Sequence, residues 1–519
     1  MIESLPTRVS KLRGDGDFSL RNLLILLLLT VFAFLVMGYH PGLEDDAFYL
    51  AAIKRNLNPA LFPHDSEYFR LQFQATIFDK IISASVRLTH LPLSGEILLW
   101  QLAAIFFLLH GVWRISRRCF SDAAAQWGSV ALVAVLLTLP LPGIGINLAD
   151  QYLHPRTLAT AAILGAIVAV IDKRLVWAGF LLAIAFSIHA IMASFGISFC
   201  FFLWCTLHRR NKMEPKVAML ALLVPLGWIF EPASDAWRKA ASTRGFYLLS
   251  SWHWYEWLGV FAPLILLYIF RRIAERSGTD RPVLRALISA VLYYGVFQMI
   301  VGLVIMLPPS LERLRPFEPM RYLHLVYLLF FFVVGGLLGQ YVFKRRVYRW
   351  VLLLLPLSAG MFFAQRQMYR AYPHLELPGA VSVNPWSLAF SWIRQNTPAD
   401  SLFAVDPHYM TLPYEEYHGF RALAERSVLA DYEKDGGMAA RVPRIAPRWL
   451  KEVSALDGWR NFQSADFHRL KSEFGVDWIV LARPGKPDEY TPTSEAKEAS
   501  PPGMTCPYQN RQVRVCRLY

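Results

Sequence analysis

Three consecutive carboxylates, Glu44, Asp45 and Asp46, follow a long apolar run in the segment Gly38-Tyr-His-Pro-Gly-Leu-Glu44-Asp45-Asp46-Ala-Phe-Tyr49. Acids this close repel one another and add nothing to packing in a bilayer. Such crowding raises a carboxylate pKa, binds a divalent cation or presents a general base. The same residues also suit the acid-rich first turn of an exposed helix, and 47–56 reads as a short amphipathic helix along a membrane surface. A second polar group, His64-Asp65-Ser66-Glu67-Tyr68, lies in the same loop and offers groups to orient a substrate or ligate a metal.

Two further clusters stand beside apolar runs. Asp150, Tyr152, His154 and Arg156 fall within seven residues. A guanidinium there suits a phosphate, gripped by two parallel hydrogen bonds, with His154 assisting; lodging of the arginine at a membrane interface is the alternative. Asp46 and Asp150 are the candidates to share a divalent cation, Mg2+ or Mn2+. His189 sits in a tight turn between apolar runs, where an ionisable group is costly and marks a functional position. The segment 311–324 carries Arg313, Arg315, Arg321 and His324. Arg321 and His324, three apart, share one helical face and suit an anionic headgroup or a diphosphate. No phosphate-binding glycine loop, nucleophile elbow or zinc-protease motif occurs.

These residues need elements to hold them, and composition names the kind. Of 519 residues, 55% are hydrophobic and 18% charged, with mean hydropathy +0.33; soluble proteins run at about 45–50% and about 25%. The apolar residues come in uninterrupted blocks, which excludes a soluble enzyme, a disordered chain and an outer-membrane barrel. The expected fold is a polytopic α-helical membrane protein of about 11 transmembrane helices. The spans are 22–37, 96–113, 126–144, 157–171, 175–188, 191–207, 216–230, 257–270, 286–307, 322–342 and 350–363.

The formal charge of +14 would suggest nucleic acid in a soluble protein. Here the basic residues cluster in short loops instead. Arg114, Arg117 and Arg118, Lys173 and Arg174, Arg209, Arg210 and Lys212, Arg271 to Arg285, and Lys344 to Arg346 all fall on one side, together with the tail 1–21. By the positive-inside rule that side is cytoplasmic, the first span is an uncleaved anchor, and no nucleic-acid partner is expected. The transmembrane domain is then 22–365, with a large first outer loop at 38–95.

Residues 366–519 form an extracytoplasmic (periplasmic) domain with soluble character. Helix–strand alternation over 385–395, 401–405, 449–456, 465–474 and 476–482 predicts a small α/β domain, closed by a hairpin of 505–508 and 512–518. Cys506 and Cys516 face each other across that hairpin and can pair in an oxidising compartment. Cys119, Cys200 and Cys205 lie in or beside spans as packing residues.

This layout resembles the GT-C superfamily of membrane glycosyltransferases: one helix, a long outer loop opening with acids, many spans and an outer C-terminal domain. The superfamily includes oligosaccharyltransferase catalytic subunits, protein O-mannosyltransferases and lipid A aminoarabinose transferases. Glu44-Asp45-Asp46 matches the position of its acidic motif. The stretches Trp392-Ile-Arg-Gln-Asn-Thr-Pro, Ala424-Glu-Arg-Ser427 and Phe474-Gly-Val-Asp-Trp-Ile-Val480 look like outer domains of bacterial members. The W-W-D-x-G signature of oligosaccharyltransferases is missing, which argues against N-glycosylation.

The resemblance implies an inverting transferase of the bacterial inner membrane. Its donor is a polyprenyl-phosphate-linked sugar, and its acceptor a cell-envelope glycan, lipid or protein among membrane lipids. Asp45 or Asp46 is the expected base, with Glu44 beside them. Asp150 is expected on a metal or the acceptor, and His154, Arg156, His189, Arg321 and His324 on the lipid phosphate. The rival reading is a transporter, flippase or ligand-binding membrane protein.

Overall fold

The computed structural model describes residues 19–208, 232–276, 281–380, 382–411, 417–483 and 503–519. The expected span 216–230, the basic residues Arg209, Arg210 and Lys212 and most of the tail 1–21 lie outside the described residues. Six helices are long and apolar enough to cross a membrane: Leu20–Met37, Leu93–Cys119, Ala190–Leu207, Pro282–Met306, Pro319–Phe343 and Val347–Met368. Ala123–Val135, Pro155–Ile171 and Leu175–Ile188 are shorter and apolar. Trp254–Arg276 is a further long helix.

One core holds the bundle together. Pro155–Ile171 packs on both Leu93–Cys119 and Leu175–Ile188, and Ala123–Val135 on Leu323–Leu337. The outer faces stay greasy: Val176 is 88% exposed, Leu352 71% and Leu28 69%. Apolar side chains so open to a polar solvent would be a liability, and hydrocarbon is the medium that suits them. The expected span 126–144 is corrected. Its helix stops at Val135, because Pro140, Pro142, Gly143 and Gly145 cannot continue it, and 136–154 runs as irregular chain. That irregular chain supplies part of the site described below.

Two of the basic connections share one end of the bundle, where Arg118 Nε donates to Asp172 Oδ1 at 2.7 Å. The long connections gather at the other end, under the C-terminal domain. There β1 (Leu402–Val405), β2 (Ser427–Val428), β3 (Trp478–Ala482), β4 (Met504–Gln509) and β5 (Val513–Leu518) form one sheet in the order β2-β1-β3-β5-β4. The first three strands are parallel and the last two antiparallel. Alternation sends Phe403 and Val405 to a core with Pro385–Asn396, while Leu402 and Ala404 meet Phe467 and Leu470 on the other face. A disulfide joins Cys506 and Cys516 across the hairpin.

The helix Asp46–Leu57 does not lie on an open membrane surface as its amphipathic pattern suggests. It is clamped between Phe78–Thr89 and the Phe420–Ala424 helix of the C-terminal domain, burying Ala47, Leu50, Ala51, Ala52 and Ile53. Gly419 permits this. A Cβ there would come within 2.3 Å of the Ala47 Cβ, and the Gly419 N–H donates to the Gly42 carbonyl at 2.9 Å.

Candidate active site

Where the bundle meets the C-terminal domain a cavity of about 250 Å3 opens, walled by six separate stretches of chain, one of them Met368 and Tyr369. Glu44, Asp45 and Tyr49 come from the first loop, and Asp150, Tyr152 and Arg156 from the irregular chain and the helix after it. Arg244 and Phe246 come from a third segment, Glu318 and Arg321 from a fourth, and Lys434, Met438 and Arg441 from the C-terminal domain. The ionisable lining is five cations and four carboxylates.

Of the three acids, Asp45 and Glu44 face this cavity and Asp46 does not. Asp46 is 2% exposed, and its Oδ2 accepts the Gly42 N–H at 2.6 Å, closing the turn that starts its helix. Burial pushes its pKa up to about 7, against the pull of that hydrogen bond and of Lys54. Asp45, as Ncap of the same helix, has its side chain 35% exposed. Desolvation pushes its pKa up, but Lys434, His154 and Arg244 together outweigh that and hold the carboxyl well below the ordinary value. One residue of helical rotation separates a buried, reluctantly ionised acid from an open, firmly ionised one. Glu44 takes φ +50° to make that rotation, a conformation costly for a residue with a Cβ. Glu318, across the cavity, is held similarly at φ +54°. Such outliers cluster at functional sites.

His154 has a different place from the one its spacing suggests. It caps Pro155–Ile171, its Nδ1 accepting the Arg156 N–H at 2.9 Å. In the neutral ring this puts the proton on Nε2, which lies 3.8 Å from Asp45 Oδ2. Burial and Arg156 lower the His154 pKa, which keeps the ring neutral. His154 Nε2 therefore stands beside Asp45, on a residue outside the cavity lining.

His189 and His324 are likewise withdrawn from the lining. His189 caps Ala190–Leu207, accepting the Met192 N–H at 3.3 Å, and its ring lies 6.1 Å from that of His154. His324 is fully buried, with Nε2 2.9 Å from the Leu148 carbonyl oxygen. Both serve helix ends and loop anchoring here.

Asp150 is also reassigned. Both its oxygens take Arg156 Nη2, at 2.6 and 2.7 Å, and the pair is almost fully buried. Arg156 Nε and Nη1 are buried and make no hydrogen bond, on a residue that lines the cavity. A buried guanidinium with two unpartnered donors beside a cavity is a ready receptor for an anion. Asp150→Leu or Arg156→Met alone leaves one buried charge uncompensated and is expected to cost about 3–5 kcal/mol. The double variant should recover most of that. Thermal unfolding in detergent measures it, and losses that simply add in the double variant would refute the pairing.

The residues that spacing does not reveal come mostly from the far end of the chain. Lys434 Nζ donates to Glu44 Oε2 at 2.7 Å and to Asp45 Oδ1 at 3.3 Å. Arg441 Nη2 donates to Glu318 Oε1 at 2.9 Å, and Arg321 pairs with the same carboxylate. Lys434, Met438 and Arg441 stand at i, i+4 and i+7 on the Lys434–Arg441 helix, so one face enters the cavity. Gly437 lets that face close on its neighbour, since a Cβ there would come within 3.0 Å of the Arg244 guanidinium. The Gly436-Gly437 pair was the one local signal of such close approach.

A divalent cation does not fit these residues. Among the described residues no group of three or more His, Cys, Asp or Glu side chains is placed to hold a metal ion. Asp46 points away from the cavity, Asp150 is taken by Arg156, and an ammonium stands between Glu44 and Asp45. Asp46 and Asp150, expected to share such an ion, each hold another partner here, as desolvation favours.

A domain family of unknown function, DUF6798, matches residues 384–440, a stretch that includes Lys434. No curated protein matches the chain by sequence. Among solved structures, an oligosaccharyltransferase from Archaeoglobus fulgidus, crystallised in complex with zinc and sulfate, is similar at 12% identity. The alignment covers 89% of this chain and 67% of that one, with a TM-score of 0.43. A second structure of that enzyme, tethered by a disulfide to an acceptor peptide with an NVT sequon, aligns at 12% identity over 89% and 69%, with a TM-score of 0.44.

Proposed function

We propose that this protein is a membrane-embedded glycosyltransferase that moves a sugar from a polyprenyl-phosphate donor to a hydroxyl acceptor at the outer face of a bacterial inner membrane. The observation that carries the reading is the pairing, in one cavity at the bundle end, of an ionised carboxylate, Asp45, with a set of arginines. Arg156 supplies two unpartnered buried donors, and Arg321 and Arg441, both paired with Glu318, also line the cavity. The lipid chain would stay in the bilayer among the exposed apolar helix faces, leaving its phosphate at the level of the helix ends.

The chemistry then follows from the charges. Asp45 accepts the proton of the acceptor hydroxyl as that oxygen attacks the anomeric carbon. The bond from that carbon to the phosphate oxygen breaks, and its electron pair stays on the phosphate. Attack from the side opposite the leaving group inverts the configuration. Arg156, Arg321 and Arg441 face the negative charge that grows on the leaving phosphate, in a partly enclosed site where fixed donors act strongly. Tyr152 and Phe246 offer ring faces to a sugar. Transport would favour ionisable residues along a midplane path. Among the described residues the charged side chains of the long helices stand near the helix ends, which favours interfacial chemistry.

The test is transfer from a short-chain polyprenyl-phosphate sugar by purified protein in nanodiscs. Arg441→Ala should raise the donor KM about tenfold with a smaller change in kcat, as expected for loss of one charge-assisted phosphate contact. No transfer from any lipid-phosphate donor, together with unchanged retention of polyprenyl phosphate by Arg441→Ala, would remove this reading.

A further inference from the structure

We propose that Lys434 is the resident cation of this site, doing for Glu44 and Asp45 what a bound divalent ion would do, so that the protein works without one. The inference rests on the transferase reading for its purpose but not for its geometry. Lys434 is brought in from the C-terminal domain, 390 residues along the chain from Glu44, and its side chain is 7% exposed. Its position is built. The Lys434 backbone N–H donates to Asp431 Oδ1 at 2.6 Å, and neighbouring Asp435 is held by Arg421 at 2.9 Å. An ammonium carries three donors. Glu44 and Asp45 take two, and the third remains for the cavity that Lys434 lines.

A divalent ion in the same place would meet two obstacles. Mg2+ and Mn2+ keep several waters and bind through one or two carboxylates, and the place between Glu44 and Asp45 where such an ion would sit is already taken by Lys434 Nζ. Such an ion would also sit among Arg156, Arg244, Arg321 and Arg441, whose repulsion is poorly screened in a partly enclosed site. With Lys434 present, one positive charge bridges the two acids, Asp45 stays ionised, and the whole lining keeps a surplus of one positive charge for an anionic donor. The C-terminal domain is then no passive roof: the site is complete only when the Lys434–Arg441 helix is docked.

Mn2+ titration followed by electron paramagnetic resonance tests this on the full chain in nanodiscs, with no transfer needed. The wild type should bind no Mn2+ at micromolar concentration. Lys434→Gln, which keeps the length but drops the charge, should gain one Mn2+ per chain, about 100-fold tighter, and adding Asp45→Asn should remove it. One Mn2+ on the wild type that disappears in Asp45→Asn would overturn the proposal. So would a folded Lys434→Gln, eluting with the wild type on size exclusion, that binds none. Sugar transfer in EDTA is the companion measurement. Full activity supports the proposal, and activity lost in EDTA and restored by Mn2+ overturns it. A wild type inactive under all conditions would count against the transferase reading and leave the Mn2+ results to decide Lys434.

Discussion

Replacing Asp45 with Asn is expected to cut sugar transfer by about 10³-fold, the size of effect typical for loss of a general base, while Asp46→Asn stays within a few-fold of the wild type. The two substitutions are chemically identical and adjacent in sequence; only the side chain's direction separates them. Asp45 opens on the cavity, lies beside His154 and is held ionised by Lys434. Asp46 is 2% exposed and bonded to the Gly42 N–H. Single-turnover transfer in nanodiscs, with matched expression, makes the comparison. Equal losses in both variants would sink the assignment of Asp45.

The same pair has a stability signature of opposite sign. The folded-state pKa of Asp46 is raised from 3.8 to about 7. Its stabilising contribution is therefore present at acidic pH, where it is protonated, and is lost as the pH rises through 7. Asp46→Asn should melt higher than the wild type at pH 8, by up to roughly 4 kcal/mol in stability, with the gain shrinking steadily as the pH falls from 7 towards 3.8. Asp45→Asn should show no such gain, because its ionised form is already compensated.

The second large effect is expected at Arg421, far along the chain from the acidic motif. Its side chain is 7% exposed; Nη1 donates to Asp435 Oδ1 and Oδ2 at 3.0 and 2.9 Å, and Nε to Asp65 Oδ2 at 3.1 Å. Nη2 reaches the Val428 carbonyl at 3.2 Å. Asp65, which spacing suggested as a metal ligand or substrate group, is thus an anchor tying the first loop to the C-terminal domain. Arg421→Met leaves two buried carboxylates facing each other and should cost about 3–5 kcal/mol. It should also loosen the helix that carries Lys434 and Arg441. Arg421→Lys keeps the charge but not the fork and should recover only part of the loss. Differential scanning calorimetry and limited proteolysis of the whole chain read the two consequences. A variant melting with the wild type would mean the cluster contributes little.

What the sequence by itself determined is what local periodicity and composition carry. Apolar blocks marked the long helices, because a bilayer leaves backbone groups no partner except their own helix. Alternation and the Gly475 and Asn384 boundaries marked the strands and helices of the C-terminal domain. The acidic triplet stood out because no packing need explains it. The tertiary structure decided what those residues do. It turned Asp45 in and Asp46 away, paired Asp150 with Arg156, and withdrew His189 and His324 to helix ends. It also brought Lys434 and Arg441 over an acid pair about four hundred residues earlier in the chain. These outcomes turn on desolvation: a charge leaving water takes whichever partner the fold places nearest. No spacing along a chain of 519 residues records which partner that is.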